Sequence, residues 1–511
     1  MQSRRDQVQA HMFVMGRITT SMLRSDPDAP ESPQGRTNRG TVVGVVIAVL
    51  MCAGAFVLGL ISPGTSSSWR DGQSLVIDKQ TGSRYLYLGG RLRPVRNYAS
   101  ALLIGGSSLA SVTVSTASLD GTAHGRPVGT SGAPDSLPSA ARLDTGPWQV
   151  CSSVPDAAAG SSLATTLAVG TGAVGTALGS DQALLVAGPD ANDYLVWQGS
   201  RHRIDTSNGA MDALGYGTHT PLPVSAAFLD ALAAGPDLAA PDTPGMGAAG
   251  PTLDGRHTRV GQVFEVAVLG SAPQYYQLRQ GGLTPVTTTV ADLLLGDPQV
   301  RQKAYGGGRA TATGLDTGAL TGNMASRSDG NDDSGPGTLP QSPPRLLAAG
   351  QGQDACVRVQ PGSAGLQISV AVADDADLGP AAEPTPGALD ACVPVDRITV
   401  RPGGGALVRA LAADGRAKGG TVYLMTDTGM KYLVSSAGAL KALGYIAGQA
   451  EGLPSSLLSM LPTGPNLSTA DASAGRAVAT TPTCGTAPGA GSGAGQKRPQ
   501  EQGKAGASPA R

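Results

Sequence analysis

Charge is scarce in this chain. Asp, Glu, Lys and Arg make up 15% of its 511 residues, against about a quarter in ordinary soluble proteins. The 37 basic and 38 acidic residues leave a net charge of −1. So neutral a chain carries no electrostatic footprint for nucleic acid, and none is expected as a partner. Aromatics are scarcer still, at 4%. Gly and Pro are plentiful, 73 and 37 residues, so loops must be numerous.

Catalytic and metal-binding patterns are missing too. Gly503-Lys504 is followed by Ala505 and lacks the earlier glycine of a phosphate loop. The glycines at 489–495 imitate a dinucleotide fingerprint only through low complexity, with no strand before them. There is no G-x-S-x-G elbow, no H-E-x-x-H and no C-x-x-C. Beyond residue 61 the histidines are His124, His202, His219 and His257. They are scattered through turn-rich sequence and read as solvated surface residues. The acids are dispersed, so no carboxylate pair can be nominated for hydrolysis. No catalytic, cofactor-binding or metal-ligating residue is expected, and no cofactor.

What is present is organised by one stretch, Thr41 to Ile61, TVVGVVIAVLMCAGAFVLGLI, with no charged residue and Arg36 and Arg39 just before it. An apolar helix of this length crosses the ~30 Å hydrocarbon core of a bilayer. A core helix would show a polar face, and this one shows none. A cleaved signal would be shorter and would lie closer to the N-terminus. The reading is a retained transmembrane helix over 41–61. The flank before it carries Arg4, Arg5, Arg17, Arg24, Arg36 and Arg39 against Asp6, Asp26, Asp28 and Glu31. After it, Arg70 and Lys79 each stand beside an acid. The balance favours a cytosolic N-terminus. Cys52 lies in the span, while Cys151, Cys356, Cys392 and Cys484 lie beyond it, in no metal spacing. That usage suits disulfides in an extracytoplasmic compartment.

Residues 4–24 read as a helix stopped at Asp26-Pro27. Val8, Met12, Met15 and Met22 share one stripe, which either lies on the membrane surface or docks a partner. Residues 1–40 are thus a cytosolic amphipathic helix and linker. Beyond the span the chain repeats itself at 73–104, 182–216, 261–297 and 419–445. Each unit is an apolar run, a turn and a second run that opens with tyrosine: Tyr85, Tyr194, Tyr275 or Tyr276, and Tyr432. The ends rhyme as well, with GAMDALGY at 209–216 and GALKALGY at 438–445. Two runs joined by a turn make a hairpin, and the apolar tail reads as a short helix packed on it. Uneven spacing excludes a regular solenoid.

The expected fold is mainly β with short helices (α+β). A single N-terminal transmembrane helix precedes an elongated extracytoplasmic domain of four pseudo-repeats around a central β domain. The repeats fall at 62–115, 181–235, 258–312 and 409–462. The central domain is contributed by two separate stretches, 140–180 and 345–408. Residues 466–511 form a Gly/Ala/Pro tail that cannot bury enough apolar area to order itself. The segments 116–145 and 318–346 read as loops or disorder. Trp148 and Trp197 read as core, and Trp69 as an interface anchor. Cys151 and Cys356 sit in strand-like segments and make the expected principal bridge. Four cysteines allow three pairings, so spacing alone does not decide, and Cys392 with Cys484 stays open beside free thiols.

The opening RRDQVQAHMFVMGRITTSMLRSDPDAPESP, the single span and the YLYLGGRLRPVRNYASALLI module together resemble the EccB family of type VII (ESX) secretion systems in actinobacteria. The likeness extends to about residue 460, through PGGGALV at 402–408 and LMTDTGMKYLV. It implies a core subunit of the secretion complex in the cytoplasmic membrane. Its partners would be the FtsK/SpoIIIE-type ATPase EccC, the polytopic EccD, EccE where present, further copies of itself, and membrane lipid. The family's bridge falls on Cys151 and Cys356. Some members carry an ATPase label, which the resemblance transfers and the residues do not support; the other alternative to a scaffold is a membrane-tethered cell-wall-binding module.

Overall fold

The computed structural model describes residues 4–25, 33–61, 67–153, 163–326, 338–350, 352–362, 365–383, 387–412, 417–481 and 484. They divide into two compact units, residues 1–93 with 110–125, and residues 94–109 with 126–511. The fold is mainly β with short helices.

The smaller unit begins with two helices, α1 (Arg4–Arg24) and α2 (Pro33–Ile61). Pro33 opens α2 at a position where the missing N–H costs nothing. The helix therefore starts ahead of the expected 41, taking in some of the expected linker, and residues 26–32 lie outside the described residues. A four-stranded sheet follows, built from Ser74–Asp78, Arg84–Leu88, Arg91–Pro94 and Ala110–Val114. Its hairpin turns at Gly82, whose φ of 71° suits a residue without Cβ. Asp78 accepts from Gln80 N (3.0 Å), Thr81 Oγ1 (2.8 Å) and Thr116 Oγ1 (2.8 Å), which knits the turn to the end of the fourth strand. Trp69 fills the core of this sheet, edge-on to Tyr87 at 5.4 Å. It is fully buried in its own module, which corrects its reading as an interface anchor.

Three further sheets in the larger unit repeat this design. In all four, the first three strands are antiparallel neighbours and the fourth returns parallel to the first. A later segment then lies parallel against the third strand, pairing Leu92 with His124, Ser200 with Ala233, Leu283 with Met324 and Lys431 with Thr463. Each repeat thus covers the edge it would otherwise expose. This pairing orders some of 116–145, which composition alone assigns to loop. Of 318–346, residues 327–337 lie outside the described residues. After each third strand a short helix starts on a polar cap. Asn97 accepts from Ser100 N, Asp205 from Asn208 N, Thr287 from Val290 N and Ser436 from Ala439 N. The fourth sheet includes Gly405–Leu411 as its first strand. The fourth module therefore begins inside the stretch expected to be central, because that strand hydrogen-bonds to Ala417–Thr426 and not to the central sheet.

The central sheet has the order Arg397–Val400, Ala164–Val169, Trp148–Ser153, Gln353–Gly362, Gly365–Asp374, Thr176–Ala177. Every residue of Trp148–Ser153 is buried. Trp148, Val150, Leu167, Val357 and Val359 share a core with Phe228 of the second module and Leu457 of the fourth. Sequence order shows an exchange between halves. Thr176–Ala177, from the first half, pairs on the second half's Gly365–Asp374, and Arg397–Val400, from the second, pairs on the first half's Ala164–Val169.

Candidate functional site

Two regions carry the features a function could use: the N-terminal helices and the covalently tied sheet.

Helix α1 has no proline and carries Asp6 in its first turn, where a negative charge suits the helix dipole. Thr19 and Thr20 return their hydroxyls to Met15 O (2.6 Å) and Gly16 O (2.7 Å), so neither breaks the helix. It ends at Ser25, in the left-handed region at φ 59°. The stripe residues Val8, Met12, Met15 and Met22 are 58%, 66%, 53% and 83% exposed. Nothing among the described residues buries them. Ile18 and Val14 are exposed on one flank of that stripe and Phe13 on the far side of the helix, so the exposed apolar surface is broader than the stripe read from spacing. Helix α2 is similar in kind: its window Thr37–Val57 is long and apolar enough to cross a membrane, and none of it is buried among the described residues.

At the sheet, Cys151 and Cys356 stand directly opposite one another on neighbouring antiparallel strands, Cα atoms 4.0 Å apart, and are disulfide-bonded. Both are fully buried, with Ala371, Ala373 and Leu378 around them. Two tyrosines from the rhyming segments hold the chain on either side. Tyr216 donates to Pro344 O (2.8 Å) and Tyr445 to Pro138 O (2.6 Å). Each acceptor lies on the segment leading into a central strand of the opposite half. Burial pushes both phenols well above their ordinary range. Backbone ladders repeat the exchange, with Leu143 beside Gly405 and Arg345 beside Gln182.

A cleft of about 1000 Å³ opens where the segment leading into Trp148–Ser153 meets the fourth module, lined by Asp144, Gly170, Glu383, Thr399, Arg401 and Asp427 among others. Asp144 pairs with Arg401 at 2.6 Å. Burial nevertheless raises its pKa, against the pull of the guanidinium. This carboxylate is already committed to an ion pair that joins two segments. Elsewhere Lys431, buried under the fourth module, donates Nζ to Leu458 O and Leu461 O. Burial lowers its pKa to about 8. Among the described residues no His, Cys, Asp and Glu gather into a metal-holding group. His202 is fully buried, its Nδ1 2.9 Å from Pro236 O, and its pKa is lowered by burial. That corrects its reading as a solvated residue, since the strand Ser200–Arg203 turns it inward. Lys431 had no sequence signal, and the second bridge, Cys392–Cys484, which cysteine counting left open beside free thiols, is formed. The tyrosines had one, the repeated GY ending.

The build defines a class: a multi-module β protein that carries, among the described residues, one N-terminal helix long and apolar enough to cross a membrane. Residues 1–480 match the family model described as type VII secretion system ESX-1, transport TM domain B, and the chain belongs to this EccB family. It is similar to the ESX-3 secretion system ATPase EccB3 of Mycolicibacterium smegmatis, 30% identical over 487 residues, covering 92% of this chain and 90% of the relative. The ESX-1 secretion system ATPase EccB1 of Mycobacterium tuberculosis is 31% identical over 297 residues, 56% of this chain and 60% of the relative. Among solved structures, the EccB3 dimer from the ESX-3 core complex superposes with a TM-score of 0.63 at 27% identity, covering 78% of this chain and 99% of that one. A chain of the intact ESX-5 inner membrane complex shares the fold, with a TM-score of 0.62 at 22% identity, covering 92% of this chain and 95% of that one.

Proposed function

We propose that this chain is a structural subunit of a type VII (ESX) secretion complex in the cytoplasmic membrane. It fixes a rigid β scaffold to the exit side of the export path. The observation that carries the reading is the apolar helix α2 and the apolar stripe of α1, both left unburied among the described residues, in a protein whose family match spans residues 1–480. The N-terminus lies in the cytosol, supported by the arginine-rich flank. The large unit lies outside, supported by its two disulfides. Val8, Met12, Met15 and Met22 dock cytosolic partners, of which the FtsK/SpoIIIE-type ATPase EccC and the polytopic EccD, with EccE where present, are the expected set. Copies of the chain associate with one another. The working division is helix and linker at 1–40, span at 41–61, and four modules beyond it joined by a central sheet. The partner ATPase supplies the force for export.

The test is mild detergent extraction through a C-terminal tag, followed by sizing and mass spectrometry. Recovery in a megadalton-range particle with the FtsK-like ATPase and the polytopic subunit is expected, and deleting residues 4–24 should strip both away. Recovery as a lone monomer or dimer in several mild detergents would sink the reading.

A second reading, an ATP-hydrolysing subunit, is favoured by the names of the relatives. It requires turnover that survives further purification and disappears with a point mutation in the large unit.

A further inference from the structure

A second covalent closure lies at the far end of the larger unit. Residues 462–481 form a strap over the fourth module. The strap first runs beside the edge strand Lys431–Val434: Lys431 N donates to Pro462 O (3.0 Å), Gly464 N to Lys431 O (2.9 Å) and Leu467 N to Leu433 O (2.7 Å). Helix Thr469–Ala474 comes next, capped by Ser468. It packs on α3 (Tyr98–Gly105), and Ala472 O accepts from Gly129 N at 2.8 Å. Past Gly475, at φ 69°, the strap doubles back. Asn466 N donates to Val478 O (2.7 Å), and Asn466 Nδ2 to Thr480 Oγ1 (2.9 Å). Cys484 then joins Cys392 in a disulfide across 92 residues. The loop around Cys392 is itself anchored. Leu389 and Thr463 exchange two backbone hydrogen bonds, and Asp396 N donates to Thr165 O of the central sheet (3.0 Å).

The strap has little else to hold it. Its buried apolar side chains are few, chiefly Pro465, Leu467 and Ala472. Ordering each residue costs roughly 1–2 kcal/mol of backbone entropy. Segments so poorly supplied with burial open locally at low free energy. A covalent closure removes much of the freedom that opening would gain. The two disulfides differ in access. Cys151 and Cys356 are sealed inside the sheet, whereas Cys392 is half-buried and Cys484 is exposed. Exchange requires a thiolate to reach a sulfur, so the second bridge is the one open to attack.

We propose that Cys392–Cys484 is a redox clasp: oxidised, it locks the strap onto α3 and onto the edge of the fourth module, and reduction releases it. An external dithiol supplies the two electrons. One thiolate attacks the exposed Cys484 sulfur and expels the Cys392 thiolate. The second thiol resolves the mixed disulfide, leaving two cysteine thiols and an oxidised dithiol.

The test uses the full chain in detergent and hydrogen exchange read by mass spectrometry, on wild type, Cys392→Ser, Cys484→Ser and the double variant. Exchange over 462–481 and 98–105 should rise at least tenfold in each variant, with the double no faster than either single. Strands 148–153 and 353–362 should keep their protection. Graded reduction of wild type with alkylation mapping should label Cys392 and Cys484 before Cys151 and Cys356, and this measurement stands even where a variant folds poorly. Unchanged exchange over the strap would overturn the proposal. So would labelling of all four cysteines at one rate, or a uniform rise across the unit, which would make the bridge a global brace.

Discussion

Helix α2 and the strand Trp148–Ser153 both carry apolar side chains, yet their surroundings are opposite. The window of α2 has none of its surface buried among the described residues, while every residue of the strand is buried. At roughly 25 cal/mol per Å² of apolar surface, neither can be left in water without cost. The strand is covered by its own modules. The helix, and the stripe on α1 before it, must be covered by a membrane or by another chain. Substitutions in the sheet should therefore act on stability, and substitutions in the helices on assembly.

The largest stability effect is expected where the halves are tied. Replacing Cys151 and Cys356 together with serine should cost about 4–5 kcal/mol in denaturant unfolding under oxidising conditions, without changing which partners co-purify. Loss of partners from a folded variant would break the division between regions. Lys431 comes next. Its folded pKa of about 8 lies below the ordinary 10.5, so the folded chain releases this proton before the unfolded chain does. The unfolded state then binds more protons between about pH 8 and 10.5, and stability rises with pH through that window. Measured against Lys431→Met, wild type should gain roughly 3 kcal/mol across it. A flat difference would mean that the amine is solvated.

The tyrosine anchors sharpen the comparison within the larger unit. Tyr216→Phe and Tyr445→Phe each leave a carbonyl without its donor and should cost about 1–2 kcal/mol. The two losses should be similar and should add, as separate sites do. A large loss at one and none at the other would break the equivalence of the halves. The smallest effect on stability belongs to α1. Met12→Asp with Met15→Asp should change unfolding by less than about 0.5 kcal/mol and still remove the cytosolic partners from the purified complex.

Periodicity explains why much of the fold was legible. The 41–61 run, the tyrosine-opened second strands and the rhyming GY segments are local patterns, and locality is what a sequence displays. The misread segments depend on partners far away in the chain. His202 looks solvated until a strand buries it. Residues 116–145 look loose until 123–128 pairs with the strand before it. The tail after 466 looks disordered, yet 466–481 is ordered by Lys431–Val434, α3 and the Cys392 loop. At the candidate site, spacing placed Val8, Met12, Met15 and Met22 on one face but could not show that Ile18 and Val14 stay exposed on its flank.

The sequence alone determined that one run, 41–61, is long and apolar enough to cross a membrane and that a hairpin unit recurs beyond it. Each follows from composition or from a repeat within some thirty residues. Tertiary structure decided which cysteines meet, where the fourth module begins, and that the segment leading into each half's central strand is held by the other half's tyrosine. Those are register and long-range pairing, set by which of several comparable apolar faces meet first and pack best, and no local pattern records that choice.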